Sequence, residues 1–457
     1  MHFLKEITDI IPDNFKINNL SPAQILVAGY FVVILSGAFL LMLPVATVDH
    51  SGLNFVDALF TSTSATCVTG LIVVNTSTAF TLFGQIVIMI LIQIGGLGIM
   101  TMSTLIAFVL GKKIGLKERM IIQEDLSQFK ISGVVKLVQY VLGFTFIIEG
   151  IGALLMFFRL IKEYHFWKAI YFSVFHAVSA FNNAGFDLFG NSLESFTGSF
   201  IINFAIMALI ILGGIGFGVL VELYNIKSIK NFRNFSLQTK IVLTFTMILL
   251  LSGFLMILFL EYNNTETMGN LSFGNKLLSS LFLSVTPRTA GFNTVPTGAL
   301  RNSTLFFVII LMFLGASPGS TGGGIKTTTL GVMVYTLWNM ITGKRDIEVY
   351  KRQLENEVIY EAFSITLLAA GLVCFVTIAL TIIENMSFLS IIFETVSAFG
   401  TVGLSTGITS SLSSIGRILI TITMFAGRVG PLTLAVAFAE RSQKGIYHYP
   451  KEKVMVG

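Results

Sequence analysis

The amino-acid sequence predicts an all-α integral membrane protein. Eight transmembrane helices are expected, in four pseudo-fourfold repeats of M1–pore helix–M2 around a central pore. Two observations lead to this fold class: only 12% of the 457 residues are charged while 54% are hydrophobic, and four short apolar segments with a glycine motif alternate with longer apolar runs. A soluble domain has about twice this charged fraction. The composition excludes a disordered chain, a nucleic-acid-binding protein and an ordinary cytosolic enzyme.

The first 21 residues mix charged and apolar groups too evenly for a cleavable signal peptide, and we expect a cytoplasmic segment there. Eight apolar runs follow. Each is long enough to cross a bilayer, which takes about 20 residues of helix. They cover residues 22–46, 80–110, 133–160, 199–222, 238–260, 303–340, 359–384 and 415–439. Because the number of spans is even, both termini are expected on one side.

Lysine and arginine residues indicate which side this is, because cytoplasmic loops carry an excess of them. Eighteen of them lie in four segments on the side of the C-terminal tail, and six lie on the opposite side. The basic segments are 112–136, 227–240, 344–352 and 441–457. The sequence therefore predicts that both termini are cytoplasmic.

Four apolar segments between paired spans are too short to cross a membrane, and each ends in a small polar stretch around a glycine. This pattern predicts a re-entrant helix followed by a loop. The segments occupy residues 56–72, 170–187, 276–294 and 390–405, and ten positions before their glycines stand Phe60, Phe175, Leu281 and Phe393. Their loops read Val68-Thr69-Gly70, Asn183-Ala184-Gly185, Thr289-Ala290-Gly291 and Thr401-Val402-Gly403. A second glycine cluster follows in each repeat, at 95–98, 213–216, 315–319 and 426–430.

These segments divide the chain into four repeats, which cover 22–131, 132–235, 236–357 and 358–441, with a cytoplasmic tail at 442–457. One chain could then fold around an axial pore. Glycine permits positive φ, so successive backbone carbonyls can replace the hydration shell of an ion. The negative ends of the short helices would favour a cation. Asp187 is a single acid rather than a carboxylate ring, so we expect a monovalent cation to bind at the backbone carbonyls of the twelve loop residues.

In its four loop glycines and its glycine-rich sixth span, the sequence resembles the Trk/Ktr/HKT superfamily of potassium transporters. The resemblance is strongest to the bacterial Ktr branch. Because sodium-preferring relatives replace the first filter glycine by serine, Gly70 implies a preference for potassium. The resemblance implies a multi-pass protein of the bacterial cytoplasmic membrane and a homodimer with one pore per chain. It also implies a cytosolic ring of KtrA-like or KtrC-like RCK subunits that bind the nucleotide, and sodium as an activator. No covalent cofactor is expected.

The sixth span is interrupted by glycines, a proline and a lysine, which destabilise a continuous helix. The family segment that matches is an intramembrane loop, here 315–328, which acts as a gate below the filter; a packing kink is the alternative. The expected gate residues are Gly315, Ser317, Gly319, Gly322, Gly323, Gly324, Lys326 and Arg428. The resemblance places Arg428 against this loop, where it either holds the gate shut or only fixes the fold.

Other functions were weighed against a pore. The pattern G-x-S-x-G at 315–319 could indicate a hydrolase with Ser317 as nucleophile and His176 nearby, but the expected strand–turn–helix context is absent. The stretch 319–327 departs from a phosphate loop because Ile325 precedes Lys326. We therefore expect no enzyme. A sodium- or proton-coupled potassium symporter is the main alternative. For the intramembrane Glu149, a satisfied hydrogen bond is favoured over ion binding.

Overall fold

The computed structural model of the chain describes residues 21–99, 101–102, 104, 116–125, 134–225, 234–344 and 346–438. Apart from Ser21, the terminal segments 1–21 and 442–457 lie outside the described residues, as do parts of the basic segments 112–136 and 227–240.

Each repeat begins with one long apolar helix. These long helices are Pro22–Leu41, Val134–Leu160, Leu237–Glu261 and Asn356–Ile383. Serine side chains cap two of them, because the hydroxyl oxygens of Ser21 and Ser236 accept hydrogen bonds from backbone N–H groups of the first turn. All four are long and apolar enough to cross a membrane, and a bent helix pair in repeat 2 raises this count within the described chain to five.

A short helix follows the long helix of each repeat and packs against it. The short helices are Phe55–Thr66, Phe166–Phe181, Phe273–Val285 and Phe388–Gly400. The structure corrects the predicted alignment in repeat 3. Phe282 is fully buried and takes the place of Phe60, Phe175 and Phe393, whereas Leu281 is 39% exposed. Repeat 3 is one residue shorter between this buried aromatic ring and its glycine, so a fixed spacing of ten selects the wrong residue.

The last apolar run of every repeat forms a broken helix. The broken helices are Leu82–Leu97, Phe200–Gly214 with Phe217–Asn225, Asn302–Phe313 with Thr327–Ile341, and Ser414–Val429 with Pro431–Phe438. In the sequence analysis this interruption is predicted only for the sixth span, and the structure shows a break after the second glycine cluster in the other repeats as well. In repeats 1, 2 and 4 the physical reason is the last glycine of the second cluster, which adopts a positive φ that ends a right-handed helix. In repeat 3 the helix already ends at Phe313, and the last glycine of the cluster lies beyond that end. The last glycines of the four clusters are Gly98, Gly216, Gly319 and Gly430, with φ of 86°, 96°, 61° and 93°.

Other glycines of the same clusters let the broken helix touch the end of the short helix of its own repeat. A Cβ atom on Gly95, Gly213 or Gly427 would lie 1.8–1.9 Å from the carbonyl oxygen of Thr66, Phe181 or Phe399. No side chain fits there. Each broken helix also packs on the short helix of the next repeat, and that of repeat 4 packs on the short helix of repeat 1. The four repeats therefore close into a ring.

The shorter elements lie in the segments between these helices. They include the helices Thr76–Ala79 and Leu116–Asp125 and a two-stranded antiparallel hairpin, Glu348–Val349 with Arg352–Gln353. In repeat 3 the two halves of the broken helix are separated by residues 314–326, which we call the intramembrane loop. The predicted loop, 315–328, ends two residues later, because the second half of the helix already begins at Thr327.

Candidate functional site

The four glycine motifs share one backbone conformation. We call residues 68–70, 183–185, 289–291 and 401–403 the glycine loops 1 to 4. The first residue of each loop is left-handed although it is not glycine: Val68, Asn183, Thr289 and Thr401 have φ of 58°, 60°, 72° and 50°. The third residue, the glycine, has φ of 90°, 71°, 75° and 88°. Such conformations cost about 1–3 kcal/mol each for residues other than glycine and persist only where the surroundings impose them.

The glycine loops lie side by side in a closed ring. A Cβ atom on Gly70 would lie 2.4 Å from the carbonyl oxygen of Ala184 in loop 2, and one on Gly185 would lie 2.9 Å from that of Ala290 in loop 3. A Cβ atom on Gly291 would lie 2.6 Å from the carbonyl oxygen of Val402 in loop 4, and one on Gly403 would lie 2.2 Å from that of Thr69 in loop 1. Each glycine thus sits beside the middle carbonyl of the next loop. A larger residue at any of the four positions would push the ring apart.

A hydroxyl group near the end of each short helix fixes the glycine loop that follows. The hydroxyl of Ser64 donates a 2.7 Å hydrogen bond to the carbonyl of Leu71 and accepts one from the Gly70 N–H. The hydroxyls of Ser179 and Thr286 likewise donate to the carbonyls of Phe186 and Phe292, and that of Ser397 accepts from the Gly403 N–H. These residues were not predicted from the sequence. Their signal is a serine six positions before the glycine in three repeats, shifted by one residue to Thr286 in repeat 3.

The ring is uncharged and buried, and the polar ends of four helices surround it. The eight loop residues other than glycine are 0% exposed, and none of the twelve is ionisable. All four short helices direct their C-terminal ends, which carry partial negative charge, at the ring. The arrangement offers carbonyl oxygens and a negative field without a carboxylate, and these groups can replace the water around a monovalent cation.

An outer cavity of about 470 Å³ opens on one side of the ring and is lined by all four loop glycines together with Asp187 and Glu194. Burial raises the pKa of Asp187 above its ordinary value, although backbone N–H groups that bond the carboxylate oppose this change. Burial also raises the pKa of Glu194, and the neighbouring Asp187 adds to the shift. Asp187 was noted from its position after the second loop glycine, whereas Glu194, nine positions after that glycine, was not predicted from the sequence. These two acids can attract cations to the ring.

The intramembrane loop lies against the other side of the ring. The backbone N–H of Gly323 donates a 3.0 Å hydrogen bond to the Thr401 hydroxyl, and a Cβ atom on Gly322 would lie 2.1 Å from the Thr289 hydroxyl oxygen. Both threonines are first residues of glycine loops. The first residues of loops 3 and 4 therefore touch the intramembrane loop, while the third residues face the outer cavity.

Repeat 2 anchors the intramembrane loop along its broken helix. The Ser317 N–H donates to the carbonyl of Gly214 at 3.0 Å, and the Thr321 N–H donates to that of Gly213 at 3.2 Å. The carbonyl of Gly319 accepts a 2.8 Å hydrogen bond from the Phe217 N–H. The remaining expected gate glycines pack within the loop, where a Cβ atom on Gly315 would lie 2.2 Å from the carbonyl oxygen of Gly323 and 3.0 Å from the Cα atom of Gly324.

Two cations lie on the side of the intramembrane loop that faces away from the ring. Lys326 donates from Nζ to the carbonyl of Gly322 at 2.8 Å. Arg428 donates to the carbonyl of Thr321 in the loop and to that of Gly95 in repeat 1. Both side chains line an inner cavity of about 140 Å³. Arg428 thus connects the intramembrane loop to a neighbouring repeat through backbone carbonyls.

The residues of the hydrolase alternative do not form a nucleophile–base pair. The hydroxyl of Ser317 pairs with that of Thr327 at 2.9 Å. His176 lies in the second short helix, where Nε2 accepts from the Leu188 N–H at 3.2 Å. Each polar group therefore has a separate structural partner, and this geometry offers no activated nucleophile.

The chain is similar to known cation transport proteins. Residues 12–449 match the family model of TrkH, described as a cation transport protein. The chain is 46% identical over 437 residues to the Ktr system potassium uptake protein B of Bacillus subtilis, covering 96% of this chain and 97% of the relative. It is 38% identical over 444 residues to the potassium/sodium uptake protein NtpJ of Enterococcus hirae, covering 96% and 98%. The predicted resemblance to the Trk/Ktr/HKT superfamily is confirmed.

A solved structure shares the fold. The crystal structure of the potassium transporter TrkH from Vibrio parahaemolyticus matches with a TM-score of 0.72, covering 93% of this chain and 86% of that chain at 19% sequence identity. At this identity the match concerns the helical membrane fold alone.

Proposed function

The chain belongs to the TrkH family of cation transport proteins, and we propose that it is the ion-conducting subunit of a Ktr-type potassium uptake system. The observation that carries this proposal is the closed ring of glycine loops, in which each glycine lies against the middle carbonyl of the next loop. In this proposal K⁺ crosses the ring by exchanging its water for the backbone carbonyls of the twelve loop residues. Two relatives named as potassium uptake proteins support the choice of ion.

The proposed topology has eight crossings in four repeats. Each broken helix is taken as one span whose break lies in the protein interior, where irregular backbone is tolerated. The outer cavity then faces the outside of a bacterial cytoplasmic membrane, and both termini are cytoplasmic, as the distribution of lysine and arginine predicts. Inward movement of K⁺ would be driven by the membrane potential, at about 2.3 kcal/mol per charge per 100 mV.

The intramembrane loop is proposed as the gate. It lies against the ring on the side away from the outer cavity, and Arg428 holds it to repeat 1. Opening would move the loop away from Thr401 and release the contacts of Arg428. We propose that a KtrA-like or KtrC-like RCK ring, which carries the nucleotide, controls this movement in a homodimer of the chain, and that Na⁺ activates it.

Uptake of ⁸⁶Rb⁺ by the purified chain in proteoliposomes tests the proposal, with K⁺ and Na⁺ as competitors. We expect K⁺ alone to compete in the wild type. In Gly70→Ser the added side chain would meet the carbonyl of Ala184, so Na⁺ should also compete. Gly274→Ser is the control, because a Cβ atom there meets nothing within 4 Å. Equal competition in the wild type, or uptake that strictly requires a sodium or proton gradient, would favour the symporter instead.

A further inference from the structure

Glu149 is a carboxylate buried in the middle of the second long helix, with 7% of its surface exposed. Carboxylates at such positions are costly unless a partner compensates the charge. Among the described residues, the ion pairs are Arg159–Glu163, Lys344–Glu348 and Arg417–Asp57, and none involves Glu149. A negative charge on Glu149 would therefore need compensation from something other than a lysine or arginine of the described chain.

Three oxygen atoms from three elements converge beside Glu149 on one atom, the Nδ2 of Asn182. They are Oε1 of Glu149 at 3.0 Å, Oε1 of Gln93 at 3.0 Å and the carbonyl oxygen of Val178 at 2.9 Å. An amide nitrogen carries two protons. The Val178 carbonyl also accepts the backbone N–H of Asn182 at 3.1 Å, so the two amide protons serve the carboxylate of Glu149 and the amide oxygen of Gln93.

Two further polar atoms of this cluster have no hydrogen-bond partner in the described structure. They are Oδ1 of Asn182 and Nε2 of Gln93, both buried. Asn182 itself is 0% exposed. Its Oδ1 lies so close to the helix of repeat 1 that a Cβ atom on Gly96 would come within 2.1 Å. Buried polar groups are nearly always bonded, so these two atoms need a further partner, either a water molecule or an ion.

The position of the cluster favours a cation. Asn182 caps the C-terminal end of the second short helix, and Val178 lies in its last turn. The C-terminal end of a helix carries partial negative charge, and such ends coordinate Na⁺ in other membrane proteins. If the amide of Asn182 turned by half a rotation, Oδ1 would face the other three oxygens. That arrangement is repulsive unless a cation sits between them.

We infer that this cluster is a binding site for a monovalent alkali cation, held by the carboxylate of Glu149, the amide oxygens of Gln93 and Asn182, and the carbonyl of Val178. A single positive charge matches the single carboxylate. The site lies behind glycine loop 2, because Asn182 directly precedes Asn183, the left-handed first residue of that loop. The inference rests on the proposed function in one respect, the role of the ring as a filter that Na⁺ activates. In that case the bound ion would stabilise the filter, and this cluster would be the site at which Na⁺ acts.

Thermal unfolding of the detergent-purified full-length chain tests binding without any transport. We expect replacement of choline chloride by NaCl or KCl to raise the unfolding midpoint saturably. Glu149→Gln keeps the shape and an acceptor oxygen for Asn182 but removes the charge, and it should abolish a saturable response to at least one ion. The ion that loses its effect identifies the ligand, since K⁺ bound in the filter would stabilise both proteins equally.

A second variant and a control keep the test decisive. Gln93→Met removes one oxygen from a different helix and should raise the half-saturating concentration about tenfold. Glu394→Gln is the control, because that buried carboxylate already accepts from the hydroxyls of Ser405 and Thr409. If the unfolding midpoint of Glu149→Gln or of Gln93→Met responds to NaCl and KCl as that of the wild type does, the proposed site is wrong. An unfolding midpoint that changes with pH but with neither ion would also overturn it. These outcomes are independent of ⁸⁶Rb⁺ uptake, which tests the proposed function separately.

Discussion

At the scale of single residues, the unusual feature is that each of the four glycine loops begins with a left-handed residue that is not glycine. Val68, Thr289 and Thr401 are β-branched, and such side chains rarely adopt positive φ. The same conformation in four loops shows that neighbouring structure imposes it. The hydroxyl of Ser64 and its three equivalents supply part of this constraint, because each bonds the backbone at the glycine or directly after it.

Two acidic residues should make uptake depend on external pH. Because the pKa values of Asp187 and Glu194 are raised, both become neutral as pH falls, before ordinary carboxyl groups do. The negative charge beside the outer cavity is then lost, and ⁸⁶Rb⁺ uptake should fall by about two- to tenfold at low ionic strength. Glu194→Gln should lower uptake at neutral pH and weaken the pH dependence.

Asp49→Asn is the control for this pH profile. Hydrogen bonds from the Ser51 and Thr47 side chains lower the pKa of the exposed Asp49 to about 2, so it stays ionised throughout the titration. Its substitution should leave the profile unchanged. A profile in Glu194→Gln that is identical to that of the wild type would contradict the role of this acid.

At the scale of secondary-structure elements, a positive-φ glycine follows each second apolar run where a continuous helix would otherwise extend. In repeats 1, 2 and 4 the break is short. In repeat 3 it widens into the thirteen residues 314–326, and this extra length lets the intramembrane loop reach Thr289 and Thr401. The wide break of repeat 3 therefore places backbone directly against the ring.

Deleting residues 316–323 should raise potassium flux in the absence of the cytosolic ring subunit. The deletion removes Gly322 and Gly323, which contact the glycine loops, and Thr321, which Arg428 holds. The change is measured as potassium flux into proteoliposomes that contain equal amounts of the deletion variant or of the wild type. Arg428→Gln should act in the same direction, with Thr421→Val on the same helix as a control for folding. If a well-folded deletion conducts like the wild type, the segment is a packing kink.

At the scale of the whole molecule, the ring closes between repeats that are far apart in sequence. The junction of repeats 4 and 1 is held by an ion pair in which Nη1 of Arg417 lies 2.5 Å from Oδ1 of Asp57. Arg417 also donates to the carbonyl of Ser410, and Asn54 donates to the second oxygen of Asp57. The junction is thus a small network rather than a single contact.

Asp57→Asn should destabilise the closed ring. The change leaves the half-buried Arg417 without its counter-charge, which costs about 1–3 kcal/mol, and the thermal unfolding midpoint in detergent should fall. Lys344→Ala is the matched control, because it breaks an ion pair whose side chains are more than half exposed, where little effect is expected. An equal change of midpoint in the two variants would argue against a special role of the junction.

Much of the architecture follows from local patterns in the sequence. Apolar runs longer than about 20 residues identify the long helices, and a glycine after a short apolar segment identifies each loop, because bilayer thickness and backbone sterics act on neighbouring residues. The family follows from the same motifs. The residues of the glycine loops and of the proposed gate could therefore be predicted from the sequence, whereas their roles in transport remain predictions.

The ring itself was decided only by the tertiary structure. Contact of Gly403 with the carbonyl of Thr69 joins residues more than 300 positions apart, and no local pattern encodes it. The same holds for Glu149, Gln93 and Asn182, which come from three elements of two repeats. The sequence alone determined a membrane protein of four repeats and its glycine loops. Which groups meet, and which buried polar atoms are left unpaired, depends on packing between distant segments, because hydrogen bonds and charges act over a few ångströms in space whatever their distance along the chain.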